Sequence, residues 1–158
     1  MSTSTLLRVC RASLLAVCVL PALVSSVKAV DTPTTREAPD LTAVRAKIKA
    51  KEFKAAIADL NVMIDKGVQH ADVYNLLGFS LRKSGDLKTA YTFYKKALDF
   101  DPEHKGALEY LGELYVETGE LAKAHQHVVL LQKLCPQGCE ELEDLEKAIA
   151  QATPPKTN

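Results

Sequence analysis

Two cysteines near the carboxyl end of the chain have the spacing that most readily permits chemistry. Cys135 and Cys139 enclose the tripeptide Pro-Gln-Gly, and Pro136 and Gly138 predict a tight turn that brings the two sulfur atoms within bonding range. Closing so short a loop stabilises a fold by about 2 kcal/mol in the chain-entropy description of disulfides. We therefore expect a structural disulfide. The alternative is a redox-active or metal-handling pair, although thioredoxin-like enzymes use the different spacing Cys-x-x-Cys.

His125 and His127 are the other candidates for metal ligands. Residues two apart on a helix point to different sides, so the two imidazoles cannot readily share one ion. Adding Cys135 and Cys139 gives a spacing that matches no usual zinc pattern. We expect no metal site, and we expect His125 to be partly buried beside the core.

Paired carboxylates could perform acid–base chemistry, and Glu109 and Glu113 lie one helical turn apart. Two solvated acids on a helix surface are the commoner arrangement, and we expect that here. The sequence contains no nucleophile in a recognisable turn, no phosphate-binding glycine loop and no His-Glu-x-x-His motif. It therefore predicts neither an enzyme nor a cofactor.

The elements that position these residues follow a repeat, in which similar residues recur 34 positions apart. One copy contains Tyr74, Leu77, Gly78, Leu81, Ala90, Tyr94, Ala97 and Pro102, and the next contains Leu108, Leu111, Gly112, Tyr115, Ala124, Val128, Leu131 and Pro136. A fixed period of this length indicates a repeat architecture. The pattern resembles the tetratricopeptide repeat, with its W-x2-L-G-x2-Y…A-x3-F…P consensus. The segment from Leu134 to Glu141 resembles a stretch of small exported proteobacterial repeat proteins.

The resemblance implies an all-α fold, a right-handed α-solenoid of three helix hairpins and a C-terminal capping helix. Apolar residues three or four apart support helices throughout residues 41–151. We place the repeats at about 41–70, 71–104 and 105–136, and the capping helix at 140–151. In the first repeat we expect a turn one residue shorter, because Gly85 has no glycine counterpart near Lys51.

The segment 1–29 has the features of a Sec-type signal peptide. Arg8 and Arg11 precede an apolar run over 12–24, and small residues predict cleavage after Ala29. An uncleaved membrane anchor is the alternative, but the run is shorter than the ~20 residues that span a bilayer and Pro21 interrupts it. We expect no stable membrane insertion after cleavage and a periplasmic or secreted location.

Lipid attachment is a further alternative, since Cys10 and Cys18 lie in the signal segment. Val17 directly before Cys18 is unsuited to it, and Cys10 lies too early. Residues 30–40 and 152–158 are rich in Pro and Thr and predict a flexible leader and tail.

Removing the signal leaves 17 Lys and Arg against 20 Asp and Glu, because all the acids lie after residue 29. A net charge of −3 argues against a nucleic-acid partner.

In the tetratricopeptide family, the first (A) helices of the hairpins line a groove that holds a peptide. Carried onto this chain, the groove residues are Asn75, Phe79, Arg82, Lys83, Glu109, Tyr110, Glu113 and Glu117. Phe79 and Tyr110 are the expected aromatic anchors, and the alternative for both is packing between neighbouring A helices. The charges predict a basic end at Arg82 and Lys83 and an acidic end at Glu109, Glu113 and Glu117, and Glu109 and Glu113 disfavour a carboxylate ligand.

The sequence thus predicts a non-enzymatic scaffold or adaptor of the bacterial cell envelope that holds a partner peptide or protein in this groove. The alternative function is a redox or metal-handling accessory protein that uses Cys135 and Cys139.

Overall fold

The computed structural model describes residues 38–152, and this part of the chain consists of seven α-helices without a strand. The helices are α1 (Thr42–Lys49), α2 (Phe53–Asp65), α3 (Ala71–Lys83), α4 (Leu87–Phe100), α5 (Lys105–Glu117), α6 (Leu121–Leu134) and α7 (Glu140–Ala152). The all-α solenoid is confirmed. The predicted signal peptide, most of the predicted leader and the tail beyond residue 152 lie outside the described residues. None of the seven helices is long and apolar enough to cross a membrane.

Histidines begin two of the A helices. The Nδ1 atom of His70 accepts a hydrogen bond from the backbone N–H of Asp72, and Nδ1 of His104 accepts one from Ala107 at 3.0 Å. Since Nδ1 is the acceptor, the proton of a neutral His104 lies on Nε2, which faces Asp72 Oδ1 at 3.2 Å. This one ring therefore caps α5 and links it to α3.

Each hairpin turn ends its first helix with one residue in the left-handed conformation. Gly85 has φ +91° and Gly119 φ +79°, and Lys51 takes the same place in the first hairpin with φ +61°. The backbone N–H that follows Lys51 donates to Lys47 O at 2.9 Å, as the N–H of Asp86 donates to Leu81 O in the second hairpin. The prediction of a shorter first turn is therefore wrong, because a lysine adopts the conformation that glycine provides elsewhere.

The predicted buried positions form the core. One cluster joins the later helices around Tyr94, Leu111, Ala124 and Leu145, and a second joins α1, α2 and α3 around Leu60. Glycines allow the closest approaches: a Cβ on Gly78 would lie 2.7 Å from the ring of Tyr94. A Cβ on Gly112 would lie 2.6 Å from Leu145 Cδ2. Small residues therefore set how closely these helices pack.

The final helix, α7, packs against α5 and α6. Its buried residues are Leu142, Leu145 and Ile149, which lie 34 positions after Leu108, Leu111 and Tyr115. The predicted capping helix thus continues the repeat and takes the place of a fourth A helix. This places its first turn beside the groove residues of α5.

Candidate functional site

The candidate site lies on the surface shared by α1, α3, α5 and α7, which we call the A-helix face. The eight predicted groove residues divide between two of its helices. Asn75, Phe79, Arg82 and Lys83 lie on α3, and Glu109, Tyr110, Glu113 and Glu117 lie on α5. Contacts between the two helices bring these sets together.

Arg82 forms the polar centre of the face. Its side chain is 2% exposed, and it donates to Glu117 Oε1 at 2.6 Å and to Glu113 Oε2. Its guanidinium carbon lies 5.8 Å from the ring centroids of both Phe79 and Tyr110. Burial acts to lower the pKa of the guanidinium, but Tyr94, Glu113 and Glu117 outweigh it and the net shift is upward. Arg82 is therefore charged at any physiological pH.

These ion pairs contradict the predicted separation of a basic end from an acidic end. Arg82 lies 31 residues before Glu113 and 35 before Glu117, close to one repeat length. Adjacent A helices place such positions side by side, so the charges neutralise each other. Only Lys83 of the predicted basic end is exposed, and its Nζ lies 5.4 Å from the Phe79 ring centroid.

The two predicted anchors are in contact. The Phe79 and Tyr110 ring centroids lie 4.8 Å apart with a tilt of 48°, and both side chains are half-buried. They pack between neighbouring A helices, and they also border a small apolar pocket of about 210 Å³ with Ile48 and Leu76. Their packing role and their place on a binding surface are thus compatible.

A second cavity of about 290 Å³, the acidic pocket, adjoins the apolar pocket, and the two share Arg45, Leu76 and Tyr110. Five carboxylates line it, from Asp72, Glu109, Glu140, Glu141 and Asp144. Asp72 is engaged by Arg45 Nη2 at 3.5 Å and by His104. The carboxylates of Glu140, Glu141 and Asp144 give the pocket an excess of negative charge.

Two buried polar side chains lie in the wall of the acidic pocket. Asn75 is 4% exposed, and its Oδ1 has no hydrogen-bond partner within the described residues. Glu109 is 7% exposed, which contradicts the prediction of a solvated acid. Burial raises the pKa of Glu109 to about 8, and the negative charges of Glu113, Asp144 and Glu141 add to the effect. At neutral pH the Glu109 carboxyl is therefore largely protonated.

The predicted groove leaves out residues that line the acidic pocket. Among them are Arg45 from α1, the capping residue His104, and Glu140, Glu141 and Asp144 from α7. The 34-residue period could have identified two of them, because Glu140 and Asp144 lie 34 positions after Gly106 and Tyr110 of α5. Extending the repeat to α7 would have placed both on the A-helix face.

The cysteines and histidines considered as metal ligands lie on α6 and in the turn that follows it. Cys135 and Cys139 are paired across the turn between α6 and α7, with Cα atoms 5.9 Å apart. His125 is exposed, contrary to expectation, and His127 is the half-buried member. The Nδ1 of His127 lies 2.8 Å from Leu108 O, and burial lowers the pKa of its ring. Within residues 38–152 no three His, Cys, Asp or Glu side chains are placed to hold a metal ion.

Comparison with known families and structures agrees with this architecture. A family model described as tetratricopeptide repeat matches residues 81–149. The chain superposes on the type III secretion translocator chaperone SycD of Yersinia enterocolitica with a TM-score of 0.60 at 16% identity, covering 73% of this chain and 90% of that one. This likeness concerns the fold.

Three curated relatives match parts of the chain. The uncharacterized protein ycf37 of Pyropia yezoensis is 38% identical over 42% of this chain and 36% of its own length. BBSome complex member BBS4 of Bos taurus is 40% identical over 38% of this chain and 12% of its own length. Cellulose synthase 2 operon protein C of Komagataeibacter xylinus is 29% identical over 75% of this chain and 9% of its own length. The chain thus spans about a third or less of each of these relatives.

Proposed function

Because this chain carries tetratricopeptide repeats, we propose that it is a non-enzymatic scaffold or adaptor of the bacterial cell envelope that holds a segment of a partner protein on its A-helix face. In this proposal the protein is exported by its Sec-type signal, cleaved after Ala29, and acts in the periplasm or outside the cell.

The observation that carries the proposal is the pair of adjoining pockets on the A-helix face. Together they are lined by side chains from α1, α3, α5 and α7. The surface therefore extends over one helix of each successive repeat. A surface of this kind suits an extended segment, which can contact several repeats at once. The half-buried rings of Phe79 and Tyr110 supply the aromatic area that dominates the energetics of protein interfaces.

Export is supported by the signal-like segment 1–29 and by the cysteine pair. Disulfides persist in oxidising compartments such as the periplasm. We propose that Cys135 and Cys139 form a structural disulfide that holds the turn before α7. Titration of the unreduced, denatured mature protein, which lacks Cys10 and Cys18 after cleavage, should find no free thiol, whereas two free thiols would favour the redox-accessory function instead.

The scaffold function can be tested by partner capture. The double variant Phe79→Ala/Tyr110→Ala removes the aromatic anchors, and we expect it to lose the partners that the unchanged protein retains on affinity purification from its own cells. Its helical circular dichroism should be kept, because both rings lie at the edge of the core. The matched control is Tyr91→Ala, which removes a partly exposed ring from α4, away from the A-helix face.

Three results would count against this function. Loss of helicity in the double variant would mean that the rings are core residues. Unchanged capture would mean that a partner binds elsewhere. Equal loss of capture in Tyr91→Ala would mean that partner binding cannot be assigned to the A-helix face.

A further inference from the structure

The acidic pocket contains a buried acceptor that the folded chain does not use. Asn75 Oδ1 has no hydrogen-bond partner within residues 38–152, and Asn75 lines the cavity. Buried polar atoms in native proteins nearly always have a partner, so such an acceptor requires an explanation. Gly106 on α5 has no side chain, which leaves space beside the Asn75 amide. A Cβ at position 106 would lie only 3.2 Å from Asn75 Nδ2.

Glu109 is a second buried polar group of the acidic pocket that lacks a hydrogen-bond partner in the described part of the chain. Its carboxyl makes no hydrogen bond to any described residue, and it lies in the middle of α5 among other acids. Glu140 and Glu141 have a structural reason for their place, because acids in the first turn of α7 interact favourably with the positive end of the helix. Glu109 has no such reason, and its burial opposes folding whenever it is ionised.

A bound cation would satisfy both groups. An ammonium or guanidinium group supplies several N–H donors and no acceptor, so it matches a carbonyl oxygen surrounded by carboxylates. Arg45 from α1 already lies at one edge, but its pair with Asp72 is long at 3.5 Å and its side chain is 57% exposed. An exposed pair of this kind is weak, so Arg45 can move aside.

The size and surroundings of the cavity favour a protein side chain over a larger ligand. About 290 Å³ lies just below the roughly 300–1,000 Å³ of small-molecule sites. The apolar pocket beside it holds about 210 Å³ and shares Arg45, Leu76 and Tyr110 with it. One acidic and one apolar cavity in contact fit two neighbouring side chains of a single extended segment.

We propose that the acidic pocket binds the ammonium or guanidinium group of a lysine or arginine in the partner's segment, while a neighbouring apolar side chain of that segment contacts Phe79 and Tyr110. The inference rests on the proposed function, because it names the kind of segment that the A-helix face accepts. Asn75 Oδ1 accepts one N–H of the bound group, and the carboxylates of the pocket carry the opposite charge.

The proposed recognition of a basic residue can be tested on the purified protein with a positional-scanning library. The library consists of fluorescein-labelled nine-residue peptides, in which one position beside an apolar residue is varied among Lys, Arg, norleucine and Glu. Binding is measured by anisotropy at about pH 9, above the pKa of Glu109, so that its carboxyl is ionised. We expect Lys or Arg to be selected beside the apolar residue, with replacement by norleucine weakening binding by roughly tenfold or more.

Matched variants identify the pocket. Glu109→Gln should weaken the Lys peptide roughly tenfold and leave its norleucine counterpart unchanged. Asn75→Leu keeps the side-chain volume and should also weaken the Lys peptide while leaving the fold intact. Asp99→Asn, which removes one exposed acid from α4, should change neither affinity.

The inference is overturned if the library shows no preference for a basic residue, selects Glu, or yields no binding peptide. It is also overturned if Glu109→Gln binds the Lys peptide as tightly as the unchanged protein does, or if free spermidine competes as well as the selected peptide. These failures remain distinct from failure of the scaffold function, because capture of a partner that depends on Phe79 and Tyr110 does not require a basic residue.

Discussion

Glu109 connects stability with the binding surface at the scale of a single residue. Its folded-state pKa of about 8 is raised from 4.5 by burial and by Glu113, Asp144 and Glu141, and Arg82 offsets part of this. The folded protein therefore holds this proton to a higher pH than the unfolded chain does. Between these two pKa values the folded state binds more protons, so the Glu109 contribution to stability falls as pH rises.

This sign gives a prediction for Glu109→Gln. The variant resembles the protonated carboxyl and should unfold at about the same urea concentration as the unchanged protein near pH 5. At pH 9 it should be the more stable of the two, because the unchanged protein then buries an ionised carboxylate. A urea midpoint difference that does not depend on pH would show that Glu109 titrates normally in the folded protein.

Lys51 supplies a second prediction at this scale. A residue other than glycine is disfavoured at positive φ, and Lys51 has φ +61° at the end of α1. We expect Lys51→Gly to raise the free energy of unfolding by about 1 kcal/mol, measured by urea denaturation. The matched control is Gly85→Ala, which occupies the equivalent position at φ +91° and should lose a similar amount. A destabilised Lys51→Gly protein would mean that the lysine side chain supports the turn in some other way.

At the scale of the helices, two glycines determine how closely their neighbours pack. A Cβ at Gly78 meets the rigid ring of Tyr94 in the second hairpin, whereas a Cβ at Gly112 meets the methyl ends of Leu145, which is buried as deeply but lies on the last helix, α7, and can shift with it. Gly78→Ala should therefore lower the free energy of unfolding by about 1–2 kcal/mol, even after the gain in helix propensity. Gly112→Ala should cost clearly less in the same assay. Equal costs would show that α7 is held as rigidly as the interior of the second hairpin.

The helices were largely predictable from sequence, and the reason is periodicity. The apolar positions of each hairpin recur 34 positions later, so the period alone assigns Tyr94, Ala124 and Leu131 to the core, where they lie. Lys51 could not be predicted at a left-handed position, because that conformation results from the closure of the hairpin and not from the preference of lysine. The same period continues into α7, although the sequence analysis predicts only a capping helix there.

The candidate site was less predictable than the helices. Its eight residues were placed on the correct helices, but the ion pairs of Arg82 depend on how far α5 is shifted along α3, which periodicity does not specify. Polar residues on an outer helix face are normally solvated, so sequence alone gave no sign that Glu109 and Asn75 are buried. Asn75 of α3 lies against Gly106 of α5, and Glu109 lies on α5 where α7 packs, so their burial depends on how neighbouring A helices pack together.

At the scale of the whole molecule, the central claim is that a partner lies across the A-helix face. Lys49 of α1 is exposed and borders the apolar pocket, whereas Lys95 of α4 is exposed on a second helix of a hairpin. The two residues therefore offer matched sites for a photo-crosslinking amino acid, one beside the proposed binding surface and one away from it.

The most direct measurement replaces Lys49 or Lys95 with benzoylphenylalanine, irradiates cells that produce the protein, and identifies the adducts by mass spectrometry. We predict an adduct at position 49 that maps to one continuous segment of a partner protein and disappears when Phe79 and Tyr110 are both alanine, with no such adduct at position 95. An adduct at position 95 alone, equal adducts at both positions, or none at position 49 would contradict binding on the A-helix face.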